Sequence, residues 1–63
     1  MTPSDLKAWR KRLSLTQDGA AEALGLSIRG YQNYEWGERE IPKSVALACA
    51  ALALGVNDYP RSA

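Results

Sequence analysis

The chain predicts an all-α fold of four short helices. Three observations carry this expectation. Apolar residues recur at helical rather than alternating spacing, polar capping residues or a proline precede each recurrence, and glycines close the later ones. No strand pattern, repeat or low-complexity segment interrupts the series. The 63 residues make one domain at most. A core of that size contributes about 3–5 kcal/mol of net stability, so each helix needs good ends and good packing.

Thr2-Pro3-Ser4-Asp5 predicts the first helix start, with Thr2 as N-cap, Pro3 at N1 and Asp5 as capping-box acid. Leu6, Trp9 and Leu13 form one apolar stripe, while Lys7 and Lys11 point away. Arg10 lies on the edge of that stripe, beside Leu6. An arginine there must snorkel or find an acidic partner. Ser14-Leu15 breaks the pattern. Thr16 caps a second helix whose inward face is Ala20, Ala21 and Leu24, and Gly25 stops it.

Ser27 caps a third helix, Ile28 to about Trp36, closed by Gly37. Tyr31 and Tyr34 point one way, with Gly30 and Glu35 on the flanks. Arg29, Gln32, Asn33 and Trp36 point the other way, at i, i+3, i+4 and i+7. Gly19 and Gly30 read as mid-helix glycines, each costing up to about 1 kcal/mol against alanine, and nothing in the sequence explains them.

Residues 38–41 read as a loop, and Pro42 opens a fourth helix. Val45 to Leu54 carries no charge. Val45, Ala48, Cys49 and Leu52 form one face; Leu47, Ala51 and Leu54 form nearly the opposite one. A helix apolar all round is covered on more than one side. In so small a domain only one side can face the chain's own core. Leu47, Ala51 and Leu54 are therefore a candidate dimer face, with a second copy as the expected homodimer partner. Gly55 ends this helix. The expected domain spans 1–57, followed by a short tail over 58–63.

Composition removes most function classes. One cysteine and no histidine leave no disulfide framework within the chain and no zinc ligand set. No Ser-His or Cys-His pair exists for nucleophilic catalysis. The chain therefore reads as a binding or interaction module rather than an enzyme, with no cofactor and no metal site. Cys49 reads as a small buried apolar residue. Eight Lys/Arg against seven Asp/Glu give a net charge of +1, less basic than a typical nucleic-acid binder. The charges are nonetheless sorted. Lys7, Arg10, Lys11 and Arg12 come early, and Glu35, Glu38 and Glu40 come later. Lys7, Lys11 and Arg12 read as a solvated surface. With no signal-peptide pattern and no apolar stretch long enough to span a bilayer, the expected location is cytoplasmic and off the membrane.

Two short helices joined by a tight turn at Gly25-Leu26-Ser27 have the layout of a helix-turn-helix. Leu15-Thr16-Gln17, Ala20-Ala21, Leu24-Gly25-Leu26-Ser27 and Tyr34-Glu35-Trp36-Gly37, in that order and without gaps, resemble the lambda-repressor-like (Cro/phage-repressor type) DNA-binding domain. The resemblance runs from Leu6 to about Val56. It implies that Ala21 lets the second and third helices approach and that Gly25 takes a left-handed turn. It implies phosphate contact by Gln17 and Ser27. It also places Ser27, Ile28, Arg29, Gln32 and Asn33 at the major-groove positions of a recognition helix. Arg29 matches guanine O6/N7, Asn33 or Gln32 matches adenine N6/N7, and Ile28 matches a thymine methyl. Trp36, Arg39 and Lys43 complete the candidate phosphate contacts. Glu35 stands where the family has an acid paired with a first-helix arginine, and Arg10 is in the matching place.

Several positions depart from the family pattern. Ala20 replaces a usual leucine and Tyr31 a usual isoleucine or valine, a small–large exchange in which the Tyr31 ring fills the missing volume. Trp36 replaces a small polar residue. Glu38 and Glu40 lie where relatives often carry basic residues. The fifth helix of many relatives is reduced to a few residues after Val56. The resemblance implies a sequence-specific regulator of transcription that binds double-stranded DNA, a small repressor whose homodimer reads a palindromic operator. The rival expectation is a protein-interaction module, such as an antitoxin of a toxin–antitoxin pair, binding a protein partner on the same fold.

Overall fold

A computed structural model describes residues 1–56 and contains α1 (Pro3–Arg12), α2 (Gln17–Leu24), α3 (Ile28–Glu35) and α4 (Lys43–Ala53). No strand occurs among the described residues. Asn57 and the expected 58–63 tail lie outside them.

The helix starts follow the capping residues. Thr2 Oγ1 accepts the Asp5 amide at 3.1 Å, and the Asp5 carboxylate accepts the Thr2 amide at 2.9 Å, a complete capping box with Pro3 at N1. The Thr16 and Ser27 hydroxyls accept the Gly19 and Gly30 amides, each at 3.0 Å. The two glycines are thus third helical residues, not mid-helix ones. A Cβ would meet the capping hydroxyl at 3.3 Å at Gly19 and 3.1 Å at Gly30. Crowding of the cap is the physical reason that the sequence alone does not display.

The ends differ by a residue or so from expectation. α3 closes at Glu35 with Trp36 as its C-cap, and α4 begins at Lys43 with Pro42 in the cap position. Pro42 has φ −70° and ψ 157°, an extended entry that cannot yet be helix. Gly25, at φ +71°, turns the chain from α2 toward α3. Ser14 holds the left-handed φ of 57° after α1, which is the turn behind the break in pattern at Ser14-Leu15.

Leu6, Trp9, Ala20, Ala21, Tyr31 and Cys49 form the buried core. Leu13, Leu15, Leu24, Leu26, Tyr34, Ile41, Val45 and Leu52 pack around it. Ala20 and Tyr31 are both fully buried in this cluster, in keeping with the small–large exchange. The Trp9 indole donates to the Cys49 carbonyl at 2.9 Å and so fastens α1 to α4. Burial pushes the Cys49 thiol up to about 11, which keeps it a neutral apolar filler at pH 7.

On α4 the two faces separate as expected, with one correction. Cys49 is buried, whereas Leu47 and Leu54 are 60% and 83% exposed. Ala51, grouped with them on angle, is half-buried and lines the seam with Leu24 and Gly25 at the end of α2. Helical angle fixes a direction, but the neighbouring helix decides what that direction meets.

Candidate nucleic-acid interface

α2 and α3 meet across the Gly25-Leu26-Ser27 turn, and Ala21, nearly fully buried, leaves room for their approach. Behind α3 lies a polar cluster centred on Glu35, whose side chain is 1% exposed. Arg10 grips both carboxylate oxygens, with Nε donating to Oε2 at 2.9 Å and Nη2 to Oε1 at 3.2 Å. The remaining Arg10 arm donates to the Leu15 carbonyl at 3.2 Å and so pins the α1–α2 turn. Tyr31 Oη donates to Glu35 Oε2 at 2.5 Å, and Gln17 Nε2 donates to Oε1 at 2.9 Å. Gln32 Nε2 in turn donates to Gln17 Oε1 at 3.1 Å.

The cluster is electrostatically self-consistent. Burial alone would raise the Glu35 pKa. The hydrogen bonds from Arg10, Tyr31 and Gln17, with the Arg10 charge, outweigh it and hold the carboxyl below the usual glutamate range. Tyr31 is pushed well above its ordinary value, by burial first and by its bond to Glu35 second. Arg10 is raised chiefly by its hydrogen bond to Glu35. Three helices are thereby joined through one ionised carboxylate with four donated hydrogen bonds, Arg10 supplying two of them.

The pairing of Arg10 with Glu35 agrees with the sequence expectation, but its extent does not. Glu35, expected on a flank of α3, is buried. Gln17, Tyr31 and Gln32 belong to the cluster as well, which the sequence reading does not foresee. One signal is available: Tyr31 and Glu35 are four residues apart on α3 and so share a side of the helix. The bonds from Gln17 to Glu35 and from Gln32 to Gln17 join different helices, and helical spacing cannot show them.

The opposite side of α3 is open. Ile28, Arg29 and Trp36 are exposed and Asn33 is half-buried. Gln32 is half-buried because its amide leans onto Gln17. The Ser27 hydroxyl is engaged as a cap, although the residue itself is exposed. Arg39 and Lys43 are exposed in the loop after α3 and at the start of α4. Trp36, 53% exposed, is the largest apolar surface beside this polar row.

Residues 6–56 match the family model described as Helix-turn-helix, of the Cro/C1 type. The chain belongs to this lambda-repressor-like helix-turn-helix family. No curated protein and no solved structure matches the chain. At the level of the family, the helix-turn-helix domain is a DNA-binding regulator of transcription, and the family is regulatory rather than enzymatic. No described helix of the domain is long and apolar enough to cross a membrane.

Proposed function

We propose that this helix-turn-helix domain is a sequence-specific repressor that acts as a homodimer, with α3 lying in the major groove of each half-site. The observation that carries the reading is the sorting of α3. Arg29, Asn33, Ile28 and Trp36 stand on its free side, while Tyr31 and the ion-paired Glu35 brace it from behind. A rigid polar edge of this kind can match base edges. Arg29 pairs with guanine, Asn33 with adenine, Ile28 packs on a thymine methyl, and Gln32 reads from the flank. Gln17 and Ser27 at the helix starts, with Trp36, Arg39 and Lys43, contact the phosphates. Two copies place two half-sites about 34 Å apart on a palindromic operator. Few cations face this side, so the salt dependence is modest, at about 2–4 phosphates per monomer.

The exposed Leu47 and Leu54 support the homodimer and equally favour a second reading, a protein-interaction module that docks a partner on α4. A random-library binding selection separates the two. The repressor returns one palindromic motif, and Arg29→Ala or Asn33→Ala abolishes it without lowering the melting temperature. The interaction module returns no enriched motif, tolerates both substitutions and loses its activity on changes at Leu47 and Leu54.

A further inference from the structure

The cluster behind α3 contains a chain of hydrogen bonds whose direction chemistry leaves no freedom to reverse. Glu35 is ionised and buried, so it only accepts. Gln17 must therefore turn its NH2 group toward Glu35, as the 2.9 Å contact shows. That leaves Gln17 Oε1 facing Gln32. An oxygen there requires a donor, and Gln32 supplies its own NH2 group at 3.1 Å. Each amide is fixed by the one before it. The last group of the chain is Gln32 Oε1. Among the described residues nothing donates to it, and no side-chain oxygen or nitrogen is buried without a partner, so this oxygen reaches solvent.

We propose that Glu35, acting through Gln17, is the positioning residue that sets the Gln32 carboxamide, so that Gln32 turns its oxygen to the groove and selects a base bearing an exocyclic amine. The inference rests on the base-reading role proposed above. In the major groove adenine and cytosine present an amino donor, whereas guanine and thymine present a carbonyl acceptor. A freely rotating glutamine can satisfy either class by flipping its amide. A glutamine tethered through its nitrogen cannot, and its oxygen set against guanine O6 or thymine O4 is repelled. Adenine fits best, because the second hydrogen of Gln32 Nε2 remains for N7 while Oε1 accepts from N6. The sequence alone leaves Gln32 able to read either way. The charge on Glu35, two side chains distant, removes that ambiguity.

The test compares the motifs returned by random-library selection for the wild-type chain, Gln17→Met and Gln32→Ala. Gln17→Met keeps the length of the side chain and leaves Arg10, Tyr31 and Glu35 paired, but cuts the link. Gln32→Ala truncates a side chain on the half-exposed flank and checks the same operator position independently. The expected wild-type motif has an amino-bearing base, adenine first, at one position per half-site, preferred about tenfold over guanine or thymine. In both variants that preference falls to within about twofold, while the positions read by Arg29 and Asn33 keep theirs. Gln17→Met also lowers affinity evenly, because the same side chain contacts a phosphate, so the readout is the relative preference at each position. A loss of affinity in Gln32→Ala spread evenly over all positions, or a wild-type motif in which the position sensitive to Gln32→Ala carries a carbonyl base, overturns the proposal. So does a motif untouched by Gln17→Met. Absence of any enriched motif from the wild-type chain overturns instead the reading of DNA sequence on which the inference stands.

Discussion

α3 and α4 are held in the domain by different means. α3 is held by directional bonds: Tyr31 and Glu35 project backward into a cluster that also fixes Arg10, Gln17 and Gln32. α4 is held by area. Cys49 is buried, Val45 and Leu52 pack on the core, and the one hydrogen bond reaching it from the α1 side chains runs from the Trp9 indole to the Cys49 carbonyl. Apolar contact tolerates small rotations of a helix, whereas a bidentate ion pair with further donors does not. The contrast matches what the proposed function asks of each element. A helix that aligns hydrogen-bonding groups with base edges needs a fixed roll and register. A helix that offers leucines to a partner needs only exposed apolar surface.

The comparison can be broken most sharply at Glu35. Glu35→Gln removes the charge that Arg10 and Tyr31 share, and the expected destabilisation is about 2–3 kcal/mol, most of the stability of so small a domain. Glu38→Gln, on an exposed loop residue, is expected to stay within about 0.5 kcal/mol. Thermal melts of the two variants check this, and equal effects would remove the special role of Glu35.

The same carboxylate contributes to acid sensitivity, as does Asp5, whose carboxyl the Thr2 amide also holds below its ordinary value. The Glu35 pKa is depressed in the folded chain, so the folded state binds fewer protons there than the unfolded state does. Its contribution is whole above the ordinary glutamate value near 4.3 and is lost as pH falls below that toward the folded value. Melting temperatures recorded from about pH 7 down to pH 3 should fall steeply at the acid end for the wild-type chain. Glu35→Gln should show a lower but flatter profile.

Tyr31→Phe keeps the buried ring and removes one donor from Glu35. The expected cost is about 1–2 kcal/mol by denaturant titration, smaller than at Glu35 because Arg10 and Gln17 remain. On α4 the smallest effect on the isolated monomer is expected. Leu54→Glu changes an 83% exposed side chain and should move monomer stability by no more than about 0.5 kcal/mol. It should nonetheless abolish dimers in sedimentation at high micromolar protein. A wild-type chain that is monomeric under those conditions would contradict the homodimer.

How far the sequence discloses this arrangement depends on the range of each interaction. Caps are local: Thr2, Thr16, Ser27 and Gly25 each act within four residues, and all four lie where their chemistry places them. The sorting of Tyr31 from Arg29 follows from helical angle alone. The demand of Arg10 for an acid is visible because its stripe position is anomalous. The depth of Glu35, the seating of Ala51 against α2 and the tie between Gln17 and Gln32 depend on how far apart two helices lie. Periodicity gives a side chain's bearing and not its distance to a neighbour. The crowding at Gly19 and Gly30 belongs with these, since it concerns tenths of an ångström around a hydroxyl.

The central claim is that the free edge of α3, held in place by Glu35, is the surface that meets DNA. A titration of the isotopically labelled chain with its selected duplex, followed by NMR, tests it most directly. Shifts concentrated at Ile28, Arg29, Gln32, Asn33 and the side-chain amide of Gln17, with α4 unmoved at constant oligomeric state, are the predicted result. Shifts concentrated on Leu47 and Leu54, with α3 silent, would contradict it.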